Sequence, residues 1–198
     1  MLYRSLLFLE EQLNAHFETL FVSDPNIIKK SAAVENIAGV DETDMKNKNN
    51  VFLTLVNISE ETTLKNTPNY RRENFTTVYK NPPIYLNLFV LFSACFKKYD
   101  MALLHLSAVI RFFQAKNIFN QKNSASTVIE NLDDFGIIMD LFSPTFEQVN
   151  YLWSTLGGKQ HPFALYKLRL VVMERESTSE TRGIIKEITL NEETLLKQ

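Results

Sequence analysis

Leu2, Leu6, Leu9, Leu13, Phe17 and Leu20 recur at steps of three and four, the spacing of one apolar helix face. This predicts a helix over 2–21, which stops at Asp24-Pro25 because proline disfavours helical geometry in the residue before it. Residues 26–40 carry no clear period, and DETDMKNKNN at 41–50 reads as a polar loop. VFLTLVNI at 51–58 is rich in β-branched and aromatic residues and short for a helix. It is expected as a strand covered on both faces. Residues 59–74 are polar, an expected mobile excursion between strands, and NFTTVY at 74–79 reads as a short strand.

Asn81-Pro82-Pro83 then forces an extended lead into IYLNLFVLFSACF at 84–96, where aromatic and aliphatic residues occupy both parities. That is the pattern of a central strand in a sheet covered on two sides, with Ile84, Leu86, Leu88, Val90 and Phe92 expected to be buried. The run is far shorter than the roughly 20 apolar residues of a spanning helix, and Asn87 would be unpaired in hydrocarbon, so membrane insertion is not expected. Asp100-Met101 opens a second helix to about Ala115, with Met101, Leu104, Ala108, Ile110 and Phe112 on one side and a thin polar face.

GIIMDLF at 136–142 is a further strand. Ser143-Pro144 reads as cap and first residue of a third helix, TFEQVNYLWSTL, closed by Gly157-Gly158. FALYKLRLVVME at 163–174 sets Leu165, Lys167 and Arg169 against Tyr166, Leu168 and Leu170. With GIIKEITL it predicts a C-terminal β-hairpin over about 163–190. The order of elements predicts an α/β (α+β) fold: one domain over 1–198, a mixed sheet flanked by about three helices.

A 198-residue chain with 45% apolar and 22% charged residues can bury a sizeable core. Fifteen phenylalanines and seven tyrosines against five glycines hint at aromatic contact surfaces. A formal charge of -2 argues against nucleic acid as a partner. The single cysteine, Cys95, lies inside the apolar run and reads as a buried reduced thiol from a reducing compartment. Glu10 and Glu11 interrupt the first apolar stretch before the core of an export signal could form.

Chemistry is sparse. There is no phosphate loop, dinucleotide fingerprint, nucleophile elbow or HExxH helix. His16, His105 and His161 are too far apart in the chain for a local metal motif, and Asp133-Asp134 lacks the further carboxylates of a calcium loop. No enzyme, cofactor or metal is expected. Arg71-Arg72 could meet an acidic partner or simply be solvated.

VFLTLVNISEE at 51–61, NPPIYLNLFVLFSACF at 81–96, YDMALLHLSAVIRFFQAKNIF at 99–119 and EQVNYLWSTLGGKQHPFALYKLRLV at 147–171 follow one another in this order, behind an opening helix with Leu6, Leu9, Leu13 and Asn14. Together they resemble the N-terminal domain family of the tube-terminator, or cap, proteins of phage-tail-like contractile injection systems, of the antifeeding prophage and Photorhabdus virulence cassette type. The resemblance covers nearly the whole chain except the polar loop after 40 and the excursion at 59–74.

The resemblance implies a tail-terminator-like fold and a structural cap. Such a cap sits as a ring, commonly of six subunits, on the distal end of the inner tube, engages the last sheath layer and stops both polymers. Its partners would be other copies of itself, the tube protein and the sheath protein. It would be assembled in the bacterial cytoplasm as part of a particle that is released or membrane-anchored. The alternatives are another tail-completion or baseplate component of the same particle, or a small enzyme with a dispersed site. Contact patches are expected on the polar excursion and the C-terminal hairpin, and the candidate interface residues are Arg71, Arg72, Lys167, Arg169, Arg175 and Lys186 there, with Asn81 between them.

Overall fold

In a computed structural model, residues 1–23, 27–40, 49–61, 70–73, 76–79, 84–124, 126, 128–129, 135–173 and 180–183 are described, of which 70–73, 76–79, 170–173 and 180–183 by their backbone alone. The chain divides into two compact units, Met1–Thr62 with Ile84–Met173, and Thr63–Pro83 with Glu174–Gln198.

The first unit is a six-stranded mixed sheet in the order β1-β2-β5-β8-β7-β6. Its strands are β1 (Ala32–Val34), β2 (Asn50–Glu60), β5 (Ile84–Cys95), β6 (Ile118–Asn120), β7 (Gly136–Phe142) and β8 (Phe163–Met173). Only β1 and β2 run parallel; the other neighbours are antiparallel. The second unit holds a three-stranded antiparallel sheet of β3 (Tyr70–Glu73), β4 (Thr76–Tyr79) and β9 (Glu180–Gly183), in the order β3-β4-β9.

The two parities of the central strand β5 explain the architecture. Leu88, Val90, Phe92 and Ala94 face one way and join helices α1 (Leu2–Leu20) and α2 (Tyr99–Ala115) in the main core. There Phe8 meets Phe119 and Phe135 edge-on at 5.6 and 5.1 Å, and Phe92 meets Phe113 and Tyr166 at 5.3 and 5.5 Å. Each fully buried side chain of this size contributes roughly 1.5–3 kcal/mol of transfer free energy. Leu91 and Cys95 face the other way and join Phe52, Ile37, Leu165 and Trp153, the last on the short helix α3 (Phe146–Thr155). Both faces of β5 are therefore covered, as its apolar residues on both parities predict. Of the residues expected to be buried, Ile84 is half exposed and Leu86 only partly buried, both at the strand's outer end.

Two sequence expectations about the helices are corrected. The third helix is capped by Thr145 rather than Ser143: Thr145 Oγ1 accepts from Gln148 N, and the Gln148 side chain accepts from Thr145 N, a reciprocal capping box. Gly157 and Gly158 do end it, both at positive φ, with Gly158 N donating to Trp153 O at 2.7 Å. On α2 the buried line is Ala102, His105, Ala108, Val109 and Phe113, so Leu104 and Ile110, expected on one side with Ala108, are exposed while Ala108 is buried.

The C-terminal hairpin expected over about 163–190 is described only in its first arm and in 180–183. β8 pairs with β5 on one side and β7 on the other, and β9 pairs with β4. The rest of the expected hairpin, 184–190, lies outside the described residues. The polar stretch at 59–74, expected to be a mobile excursion, contains the end of β2 and the whole of β3 at Tyr70–Glu73.

Candidate functional site

The three histidines have separate settings. His105 is fully buried and stacked on Phe96 at 4.3 Å, with its ring nitrogens 2.9 Å from Met101 O and 3.3 Å from Ile28 O. His161 lies against Trp153 at 6.0 Å. His16 lines a depression of about 510 Å³ with Leu20, Arg111, Phe112, Gln114, Ala115 and Lys116. Burial, and secondarily the Arg111 guanidinium, hold its imidazole below the ordinary value. Among the described residues that lining carries two cations, Arg111 and Lys116, and no carboxylate, hydroxyl or thiol. Burial pushes the Cys95 thiol up to about 12, which keeps it protonated and unreactive.

Among the described residues no group of three or more His, Cys, Asp and Glu is placed to hold a metal ion, and no helix is long and apolar enough to cross a membrane. What the surface does offer is contact area. Helix α3 is only 10 residues long and covers one end of its sheet face. Beyond it a registered row crosses four strands, Asn57 on β2, Phe89 on β5, Lys167 on β8 and Asp140 on β7. Phe89 packs edge-on against Phe142 at 5.4 Å, and Arg169, in register with Ile138, forms an ion pair with Asp140 while both remain about two-fifths exposed. The alternation read from the sequence thus brings Lys167 and Arg169 together on one half-exposed face.

The other sequence-derived candidates are not brought to this row by any described contact. Arg71 and Arg72 lie on β3 of the second unit, where the backbone alone is described, and Asn81, Arg175 and Lys186 lie outside the described residues. Sequence reasoning missed two apolar features. Tyr99, Leu103 and Ile110 form an exposed line on α2, and Phe146 at 95% and Tyr151 at 72% exposure stand out from α3. The thin polar face noted for 99–115 was the available signal for the first of these, since a helix with one buried stripe should be polar elsewhere.

Strand order and two sheet faces packed by helices define an α+β domain. The chain belongs to the Pvc16 N-terminal domain family, whose pattern it matches over residues 7–187. Two solved structures are similar in fold. One is a sheath/tube terminator of the PVC extracellular contractile injection system in its extended state, with a TM-score of 0.55, 11% identity, and 90% of this chain and 61% of that chain covered. The other is the tube-terminating cap of the anti-feeding prophage, with a TM-score of 0.58, 12% identity, and 90% and 58% covered. The chain therefore spans about three fifths of the length of each. No curated protein sequence matches it.

Proposed function

We propose that this chain is a structural cap of a contractile injection particle, which binds the distal end of the inner tube and the last sheath layer and stops their growth. The observation that carries the reading is the match over 7–187 to a family whose fold relatives are a sheath/tube terminator and a tube-terminating cap. The physics agrees with it. A helical stack grows because its top repeats its bottom, so a terminator matches the stack on one side and withholds that match on the other.

In this reading the chain acts without catalysis, cofactor or metal. It forms a ring, a homohexamer, through head-to-tail contacts that use two different patches on each subunit. Both units belong to one functional domain of the ring subunit. Lys167 and Arg169 on the open sheet face, with Arg71, Arg72, Asn81, Arg175 and Lys186, supply polar contacts to neighbours, tube and sheath. Assembly takes place in the bacterial cytoplasm.

Electron microscopy of particles from a strain lacking the gene tests the proposal. Tubes of scattered length, often naked, beside separate contracted sheath are expected. Particles of normal, uniform length with intact extended sheaths would refute it. Sixfold averages of the labelled particle end would establish the ring number; any other symmetry overturns the hexamer.

A further inference from the structure

β1 and β6 are the outermost strands of the main sheet, and on each most of the outward backbone groups are already occupied. On β1, Ala33 faces β2, as the flanking bonds Val51 N to Ser31 O and Glu35 N to Leu53 O require, so Ala32 and Val34 point outward. The Asn14 side chain meets Ala32 with both ends of its amide: Ala32 N donates to Oδ1 at 2.9 Å and Nδ2 donates to Ala32 O at 3.0 Å. One helical turn earlier, Glu10 Oε2 accepts from Val34 N at 2.9 Å. On β6, Asn117 O accepts from Met139 N, which leaves Ile118 and Asn120 pointing outward. Here Asn123 supplies the amide: Nδ2 donates to Ile118 O at 2.9 Å and Oδ1 accepts from Asn120 N at 2.9 Å.

The two geometries differ in an informative way. Bonds from one amide to the N–H and C=O of a single residue, as at Ala32, copy an antiparallel neighbour; bonds to the C=O of one residue and the N–H two further on, as at Ile118 and Asn120, copy a parallel neighbour. Each asparagine therefore stands in for one residue of a missing strand. An open edge is a template for another chain, and natural sheets cover, shorten or charge it; here both outermost strands are short, and side chains fill Ala32 N, Ala32 O, Val34 N, Ile118 O and Asn120 N.

We infer that Asn14 with Glu10 and Asn123 act as false strands that block strand addition at β1 and β6, so that copies of this chain do not join through those two strands. The inference goes beyond the cap reading and holds or fails on the isolated chain, whether or not the protein caps a tube.

Amide hydrogen exchange of the purified full-length chain and sedimentation over a range of concentrations test it. In the unaltered protein the N–H groups of Ala32, Val34 and Asn120 should exchange at least roughly a hundredfold more slowly than in an unstructured peptide, as bonded strand amides do. Asn14→Ala and Asn123→Ala, made separately, should each free one edge and add a concentration-dependent larger species with increased β-sheet signal. In the Asn14→Ala background, Val34→Pro removes an outward N–H without filling the edge and should return the mass distribution to that of the unaltered chain. Fast exchange at Ala32 and Asn120 in the unaltered protein would overturn the inference, and this readout stands even if a variant fails to fold. Folded variants with an unchanged mass distribution would also overturn it, as would association that persists with Val34→Pro.

Discussion

One face of the main sheet lies under helices of 19 and 17 residues, the other under a helix of 10. Beneath the long pair, Phe8, Phe17, Phe92, Val109 and Phe119 are fully buried. Beneath the short helix a smaller cluster around Phe52, Leu91 and Trp153 gives way along the strands to the Asn57–Phe89–Lys167–Asp140 row. The difference teaches how one sheet serves two ends. Apolar area removed from water stabilises the fold in proportion to its extent, so the heavily covered face carries stability. The partly covered face leaves side chains accessible to other molecules.

The strongest way to break this comparison is a charge in the covered strand. Leu88→Asp places a carboxylate at a fully buried position without a counter-ion and should cost several kcal/mol, leaving little folded protein by circular dichroism. Leu141→Asp, at a position more than half exposed, should melt nearly as the unaltered protein does. A normally melting Leu88→Asp protein would refute the placement of β5.

Truncation sharpens it further. Phe92→Ala and Trp153→Ala both remove large rings, for which about 3–5 kcal/mol is usual. Phe92 lies between Phe113 and Tyr166 in the main core and belongs at the upper end, whereas Trp153, in the small cluster under the short helix, belongs at the lower end. Equal losses in urea titrations would erase the distinction between the faces.

Alkali probes both faces at once. Cys95 on the α3 side is raised from 9.0 to about 12, and Tyr166 on the opposite side from 10.0 to about 12, both by burial. In each case the unfolded chain ionises first, so the stabilising contribution is complete below the unfolded value and lost as pH rises towards the folded one. Unfolding midpoints should therefore begin to fall above pH 9.0 through Cys95 and more steeply above 10.0 through Tyr166. Cys95→Ala should remove the first part of the decline only. An identical profile for the variant would contradict the burial of the thiol as its cause.

The smallest expected change in stability is on the open row. Lys167→Ala and Arg169→Ala should alter unfolding free energy by no more than about 0.5–1 kcal/mol, because half-exposed ion pairs contribute little. If the row is a contact surface, the same substitutions should lower incorporation into particles, measured by immunoblot of purified particles. Large destabilisation with normal incorporation would reverse the assignment.

How much of this could be read from the chain follows from the range of each interaction. β5 was legible because both parities are apolar, and Gly157-Gly158 marked the end of α3 by their conformational freedom. The cap of α3 was present as Thr145 with Gln148 three residues on, but Ser143-Pro144 offered a competing local signal. The stripe on α2 was misplaced because a buried histidine counts as polar in any periodicity. β1 and β6, at three residues each, are too short to show a period. The pairing of β8 and the bond from Asn14 to a strand 18 residues away depend on contacts with no local signature. Of the candidate interface, Lys167 and Arg169 were legible as a shared face through strand alternation.

The position of β8 between β5 and β7 also bears on how the protein is made. When the chain through Phe142 has left the exit tunnel, β5 and β7 are free to fold, yet the strand that must lie between them has not emerged. The nascent polypeptide then carries two vacant inner borders in the middle of what will become its largest sheet. Asn14 and Asn123 guard only the finished margins. Such non-local pairing slows folding and lengthens the time during which unpaired strands can meet other chains. The main sheet is therefore completed only after residues near Met173 have left the exit tunnel, and the risk of aggregation falls on the interval between the appearance of β5 and the arrival of β8.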